Sequence, residues 1–178
     1  DENVGALKNT VIEMVLNGTI INQNGWVWKL GMNLTHYKNK VTDLPLKDMP
    51  RSGVNKLQVG RSVYDFYMIE WAGIDPENGD PLWYKDEVDA NKNPTGKRVT
   101  TNDYGSADYY YVDKSSLPKV YGGFNTSLSW KGFDLSAIFA YSIGGYIYNR
   151  DVTMILHNGS LEGRDWSTEI LKRWTPDN

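Results

Sequence analysis

Few residues in this chain have the types and spacing that chemistry requires. There are two histidines, His36 and His157, too few for a metal site built on three imidazoles. His36 reads as the end of a strand and His157 as part of a loop, so both read as structural or solvated side chains. Carboxylates cluster at Asp75, Glu77, Asp80, Asp86, Glu87 and Asp89. A paired acid and base would suit glycoside hydrolysis, and clustered oxygens would suit calcium. The spacing departs from D-x-[DN]-x-[DN]-G followed by glutamate, and DPENGDP is better explained as turn chemistry. The pairs Gly122-Gly123 and Gly144-Gly145 lack the lysine and the helix of a phosphate loop, and no Gly-x-Ser-x-Gly elbow occurs. The remaining contact candidates are aromatic: Trp83, Tyr84, Tyr104, Tyr109, Tyr110 and Tyr111, all in turn-rich sequence. Exposed, they would stack on sugars or meet a partner protein; packed on one another, they would only order the loops. No residue carries a catalytic or metal-ligating pattern, no cofactor motif is present, and an enzyme is not expected.

Composition narrows the class. The 178 residues are 40% hydrophobic and 13% aromatic, with seven Trp and twelve Tyr against four Phe. Trp and Tyr join an apolar body to a polar edge and suit interfaces. The net charge of −3 gives no reason to expect nucleic acid. The absence of cysteine rules out disulfides and thiolate metal sites. No apolar run approaches the length of a transmembrane helix. DENVGALKNT is not a signal peptide and reads as the middle of a longer chain, as does the ending RWTPDN.

The elements that would position these residues are strands. The stretch LPKVYGGFNTSLSWKGFDLSAIFAYSIGG, 117–145, folds as a hairpin about Lys131-Gly132. Trp130 then faces Phe133, Leu128 faces Leu135, Thr126 faces Ala137 and Phe124 faces Phe139. The other face pairs Ser129 with Asp134, Ser127 with Ser136 and Asn125 with Ile138. A one-residue slip would mix the two faces, so the pattern itself selects the register. Residues 10–36 repeat the design about the turn 21–25, with Ile12 facing Leu34, Leu16 facing Leu30 and Gly18 facing Trp28. A membrane barrel needs such strands, and a soluble sheet with one buried face shows the same alternation. The rest reads as a long loop at 37–60, a strand at 61–73 with poorer alternation, turn and loop at 74–116, and a long loop at 146–178. That last loop includes a short helix starting at Asp165 or Ser167 and stopped by Pro176. Short turns alternate with long loops, as barrel hairpins do. Four strands, near 26–36, 61–72, 82–85 and 120–130, would keep both short turns on one side.

Four blocks carry a family likeness: NVGALKNTVIEMVLNGTIIN with WVWKLGMNLTHYKNKVTDL; VGRSVYDFYMIEWAGIDPENGDPLWY; LPKVYGGFNTSLSWKGFDLSAIFAYSIGGYIYN; and EILKRWTPDN. Together they resemble the C-terminal barrel of SusC/RagA-type TonB-dependent outer-membrane transporters. Val11 stands where the family usually has Gly. The segment KDEVDANKNPTGKRVTTNDYGSAD, 85–108, replaces an Asp-rich loop, which weakens any inference of a metal. The resemblance implies part of a large plugged barrel in the outer membrane of a Gram-negative bacterium. It implies import of bulky nutrients such as oligosaccharides, a SusD-like surface lipoprotein as partner, and energy from the TonB complex.

The expectation is therefore a mainly β fold, an antiparallel meander of about six to eight strands forming a fragment of a transmembrane β-barrel. The lumen-facing candidates are Glu13, Asn17, Lys29, Asn33, Asn125, Ser127, Ser129, Asp134 and Ser136. The lipid-facing candidates are Leu16, Leu30, Met32, Phe124, Leu128, Leu135 and Phe139. Two rivals stand beside it: a soluble β-sandwich that binds carbohydrate, and a glycoside hydrolase domain using Asp75, Glu77 and Asp80.

Overall fold

The computed structural model describes residues 5–46, 49–157 and 160–176. Residues 3–4 and 177–178, which open and close the family likeness, lie outside them. The chain divides into two compact units, one drawn from residues 1–66 and 113–146 and the other from 67–112 and 147–178.

The first unit holds a four-stranded antiparallel sheet in the order β1 (Ala6–Gln23), β2 (Trp26–Asp43), β8 (Val120–Trp130), β9 (Phe133–Ile143). Each hairpin closes through two residues of positive φ. Asn24 and Gly25 stand at 53° and 78°, and Lys131 and Gly132 at 46° and 90°. This is the type I′ geometry whose twist matches that of the strands it joins. Trp26 pairs with Trp130, so the two tight turns lie side by side at one end of the sheet. β1 and β9 are its edges.

In β8–β9 every pair read from the alternation is present, from Trp130↔Phe133 to Phe124↔Phe139 and beyond. The first hairpin differs from the expected pairing. Ile12 lies opposite His36 rather than Leu34, Leu16 opposite Met32, and Gly18 opposite Leu30. The turn is tighter than 21–25, and a bulge between Thr19 and Ile21 takes up one residue before Ile21 meets Trp28. The shift is two residues along the partner strand, an even number, so no side chain changes face. β2 also runs on to Asp43, seven residues past His36.

Between β2 and β8, which are neighbours, the chain makes one excursion through residues 44–119. It contains β3 (Asp65–Ile69), β4 (Trp71–Ile74), β5 (Pro81–Val88), β6 (Pro94–Thr101) and β7 (Tyr109–Ser115). β3 pairs with β7, and β4, β5 and β6 form a three-stranded sheet. The strand expected at 61–73 is thus two short strands that join neither neighbour in the wall sheet. Its aromatics point both ways, and the chain breaks at Glu70. Four strands, not six to eight, make the continuous sheet. Both short turns still fall at one end, because two strands rather than four lie between them.

Burial is concentrated where the excursion leaves β2. Val41 is 1% exposed, and its N–H donates to the Arg61 carbonyl at 2.8 Å while its own carbonyl accepts from Gly60. Asn39, also buried, accepts from Ser62 Oγ and the Val63 N–H and donates to Asn9 Oδ1 at 2.7 Å. A buried amide with every polar atom engaged fixes the loop to the strand top. In the second unit, a six-residue helix α1 (Arg150–Ile155) is capped by Asn149, whose side chain accepts from the Val152 N–H. The helix expected from Asp165 or Ser167 is a 3₁₀ segment, Thr168–Lys172, capped by Ser167. Among the described residues no helix is long and apolar enough to cross a membrane, which says nothing about strands.

Candidate functional site

The cross-strand pairs convert directly into rows, because residues opposite each other share a face. One row runs Leu16, Met32, Phe124, Phe139, and the Phe rings stack at 4.4 Å. The rows beside it are Gly18, Leu30, Thr126, Ala137 and Ile21, Trp28, Leu128, Leu135. All seven lipid-facing candidates lie on this face. On this face Trp28 Nε1 donates to Thr126 Oγ1 at 2.9 Å and the Tyr141 hydroxyl donates to the Asn33 carbonyl at 3.0 Å. Leu135 on this face is 69% exposed and Phe139 48%.

The opposite face carries the rows Asn17, Gly31, Asn125, Ile138 and Thr19, Lys29, Ser127, Ser136. Val27, Ser129 and Asp134 form another, with Ser129 hydrogen-bonded to Asp134. Asn33 pairs with Val15 and Gly123, and its Oδ1 accepts the Gly123 N–H. Glu13, opposite Thr35, completes the set. All nine lumen-facing candidates are therefore on one face. Thr19, Thr35, Tyr121 and Ser142 share it without being among the lumen-facing candidates, although the same parity places them here. Ile138 and Val15 are apolar interruptions. An open groove of about 470 Å³ on this face is lined by Asn17, Thr19, Lys29, Asn125 and Ser127, with Gly18 and Leu30 at its border. Amides, hydroxyls and one ammonium can bind and pass polar solutes; they contain no nucleophile with an activating base.

The other candidates resolve into structural contacts. His36 lies inside β2 rather than at a strand end, and its Nδ1–H donates to the Lys119 carbonyl at 2.6 Å. His157 is buried against Trp166, and its Nδ1 accepts the Leu161 N–H. The acidic turn is built as such. Asp75 accepts the Glu77 N–H, Asp80 accepts from Asn78 and Asn102, and the Gly79 N–H bonds back to the Asp75 carbonyl. Asp89 accepts from Asn91 and Asn93, and the Asn93 bonds lower its carboxyl pKa. Among the described residues no three of His, Cys, Asp and Glu come together to hold a metal.

The loop aromatics other than Tyr104 are half-buried, and most pack on a neighbouring ring. Trp83 meets Trp71 and Tyr104 edge-on at 6.1 and 5.1 Å. Tyr67 contacts Tyr109 and Tyr111. Tyr110 donates to Asp86 at 2.9 Å beneath the Arg98 guanidinium, 3.7 Å from the ring centre. Partial burial, then the bond to Asp86, push its phenol up to about 12. Tyr84 hydrogen-bonds through its backbone to Glu70 and Asp108. Trp71 and Tyr104 stay more than half exposed beside Trp83.

Comparison with known proteins agrees with this geometry. No family model matches the chain. It is 30% identical to TonB-dependent receptor P26 of Formosa agariphila over 99% of its own length and 19% of the relative's. It is 26% identical to the TonB-dependent receptor SusC of Bacteroides thetaiotaomicron over 83% of its length and 15% of that protein's. Among solved structures, the RagAB peptide transporter superposes with a TM-score of 0.85 at 35% identity, over 99% of this chain and 20% of the other. The closed-closed state of the RagAB peptide importer gives 0.83 at 34% identity, over 99% and 19%. The chain spans about a fifth of the length of the curated relatives it matches first. A two-faced antiparallel sheet with these likenesses is a piece of a TonB-dependent β-barrel transporter. Within that class the chain belongs with the SusC/RagA type.

Proposed function

We propose that this chain forms part of the wall of an outer-membrane importer of bulky nutrients in a Gram-negative bacterium. The observation that carries the reading is the single register that gathers every polar candidate on one face and every apolar one on the other. The apolar face meets lipid. Glu13, Asn17, Lys29, Asn33, Asn125, Ser127, Ser129, Asp134 and Ser136 line the lumen. The short turns lie in the periplasm, and the excursion 44–119 stands outside the cell, where Trp83, Tyr84, Tyr109, Tyr110 and Tyr111 order the loops around a contact surface. The full-length protein works with a SusD-like lipoprotein and with TonB, and its nutrient is an oligosaccharide.

A second substrate reading, peptides, is favoured by the solved neighbours, the RagAB peptide transporter and peptide importer. Calorimetry on the purified full-length transporter with its co-purifying lipoprotein separates the two. Maltooligosaccharide should give a saturable heat and mixed oligopeptides none; the reverse pattern replaces the sugar by peptide. The soluble-sandwich alternative needs a second layer over Leu135 and Phe139, which stay exposed among the described residues. If the full-length chain stays monomeric in buffer without detergent, the membrane reading falls. The hydrolase alternative loses support because the carboxylates of Asp75 and Asp80 accept hydrogen bonds that build the turn and tie it to Asn102.

A further inference from the structure

The apolar face of the wall changes character abruptly at one height. Along β2 its outward residues run Trp28, Leu30, Met32, Leu34, and then His36, Lys38, Lys40. Across on β1, Ile12 faces His36, Thr10 faces Lys38, and Lys8 faces Lys40. Two lysines directly opposite on one sheet face repel each other, and Lys38 is the next same-face residue along β2, about 7 Å away. Among the described residues none of Lys8, Lys38 and Lys40 forms an ion pair. All three are exposed. Lys38 and Lys40 border a recess of about 460 Å³, lined also by His36, Arg61, Asp65 and Lys119. The β2–β8 pairing stops at Thr35↔Tyr121. Arg61 is held by Asp113 at 3.0 Å and Asp65 accepts the Ser62 N–H; Lys119 reaches the recess from the segment before β8, and Lys8, Lys38 and Lys40 are the lysines that share the outward face of the β1–β2 ribbon.

We propose that Lys8, Lys38 and Lys40 form a binding site for a phosphate monoester, presented by a lipid headgroup of the surrounding outer leaflet. This rests on the reading of the apolar face as lipid-facing. A cationic triplet one step above an apolar band lies where headgroup phosphates stand, and the long stems of lysine keep contact with the apolar surface while the ammonium groups reach the phosphates. A doubly charged monoester offsets the repulsion that the unliganded triplet bears.

The test uses the full-length transporter that contains this chain, in lipid nanodiscs, with phosphatidic acid as the monoester probe and phosphatidylcholine as the host lipid. Bound phosphatidic acid is counted by native mass spectrometry. The triple variant Lys8→Gln, Lys38→Gln, Lys40→Gln should bind it about a hundredfold more weakly, since each surface lysine contributes about fivefold. The corresponding triple arginine variant should keep it. Equal retention by the wild type and the glutamine variant overturns the site. If inorganic phosphate displaces the lipid on equal terms, the site takes a soluble anion, and the lipid assignment is overturned. A spin label at Phe139→Cys in the same discs tests the underlying reading. Relaxation by oxygen and not by a water-soluble nickel complex upholds the lipid-facing surface, and the opposite result removes that surface and the proposal together.

Discussion

Tyr110 donates its phenolic hydrogen to Asp86 and lies under Arg98, so its ionisation is coupled to the folding of the loop. Its phenol is raised from 10.0 to about 12. A group whose folded value is raised stabilises the fold fully below its unfolded value and loses that contribution as pH climbs to the folded one. Stability should therefore fall between about pH 10 and 12, and Tyr110→Phe should flatten that loss; thermal unfolding followed across this range checks it. Gly122 makes a different residue-scale prediction. A Cβ there would stand 2.2 Å from the Asn33 carbonyl oxygen, whereas at Gly18 it would meet nothing within 4 Å. Gly122→Ala should cost roughly 1–3 kcal/mol in denaturant unfolding, and Gly18→Ala should stay within about 0.5 kcal/mol of the parent. Neither contrast was legible beforehand. The partner of Tyr110 is 24 residues away and that of Gly122 is on another hairpin, so residue type alone does not reveal them.

The hairpins are where the sequence spoke most plainly. Around Lys131-Gly132, turn chemistry and period-two alternation agree, and every pair of β8–β9 follows from them. Around Asn24-Gly25 the faces were legible and the register was not, because a bulge at Ile20 leaves no compositional mark. The poor alternation of 61–73 was a warning that this run did not belong to the wall. Face assignment yields the prediction at this scale. Phe124→Arg should destabilise the lipid-embedded full-length protein by about 2–4 kcal/mol, and its neighbour Asn125→Arg by less than about 1 kcal/mol. Folding titrations into lipid vesicles measure both. A larger penalty at Asn125 would mean that the two faces had been exchanged.

For the molecule as a whole, the informative fact is that β1 and β9 end the sheet, with no strand among the described residues on their outer edges. Produced alone, the chain should self-associate in a concentration-dependent way, as open edges with an uncovered apolar face do, and sedimentation velocity would show it. A stable monomer in plain buffer would contradict that. In the excursion, strands near 61–73 and 82–85 were legible but their pairing was not, since these short strands pair among themselves and their order depends on contacts absent from any local window. One contact also fixes a sequence of events. Trp26 and Trp130 stack at 4.8 Å with their planes 14° apart, yet they belong to different hairpins about a hundred residues apart in the chain. Each hairpin can close locally in microseconds, while bringing β2 to β8 must first overcome a loop-closure entropy of about 4 kcal/mol. The stacked indoles therefore mark the slow step of assembly, and a time-resolved change in their fluorescence would date the moment at which two independent ribbons become one wall.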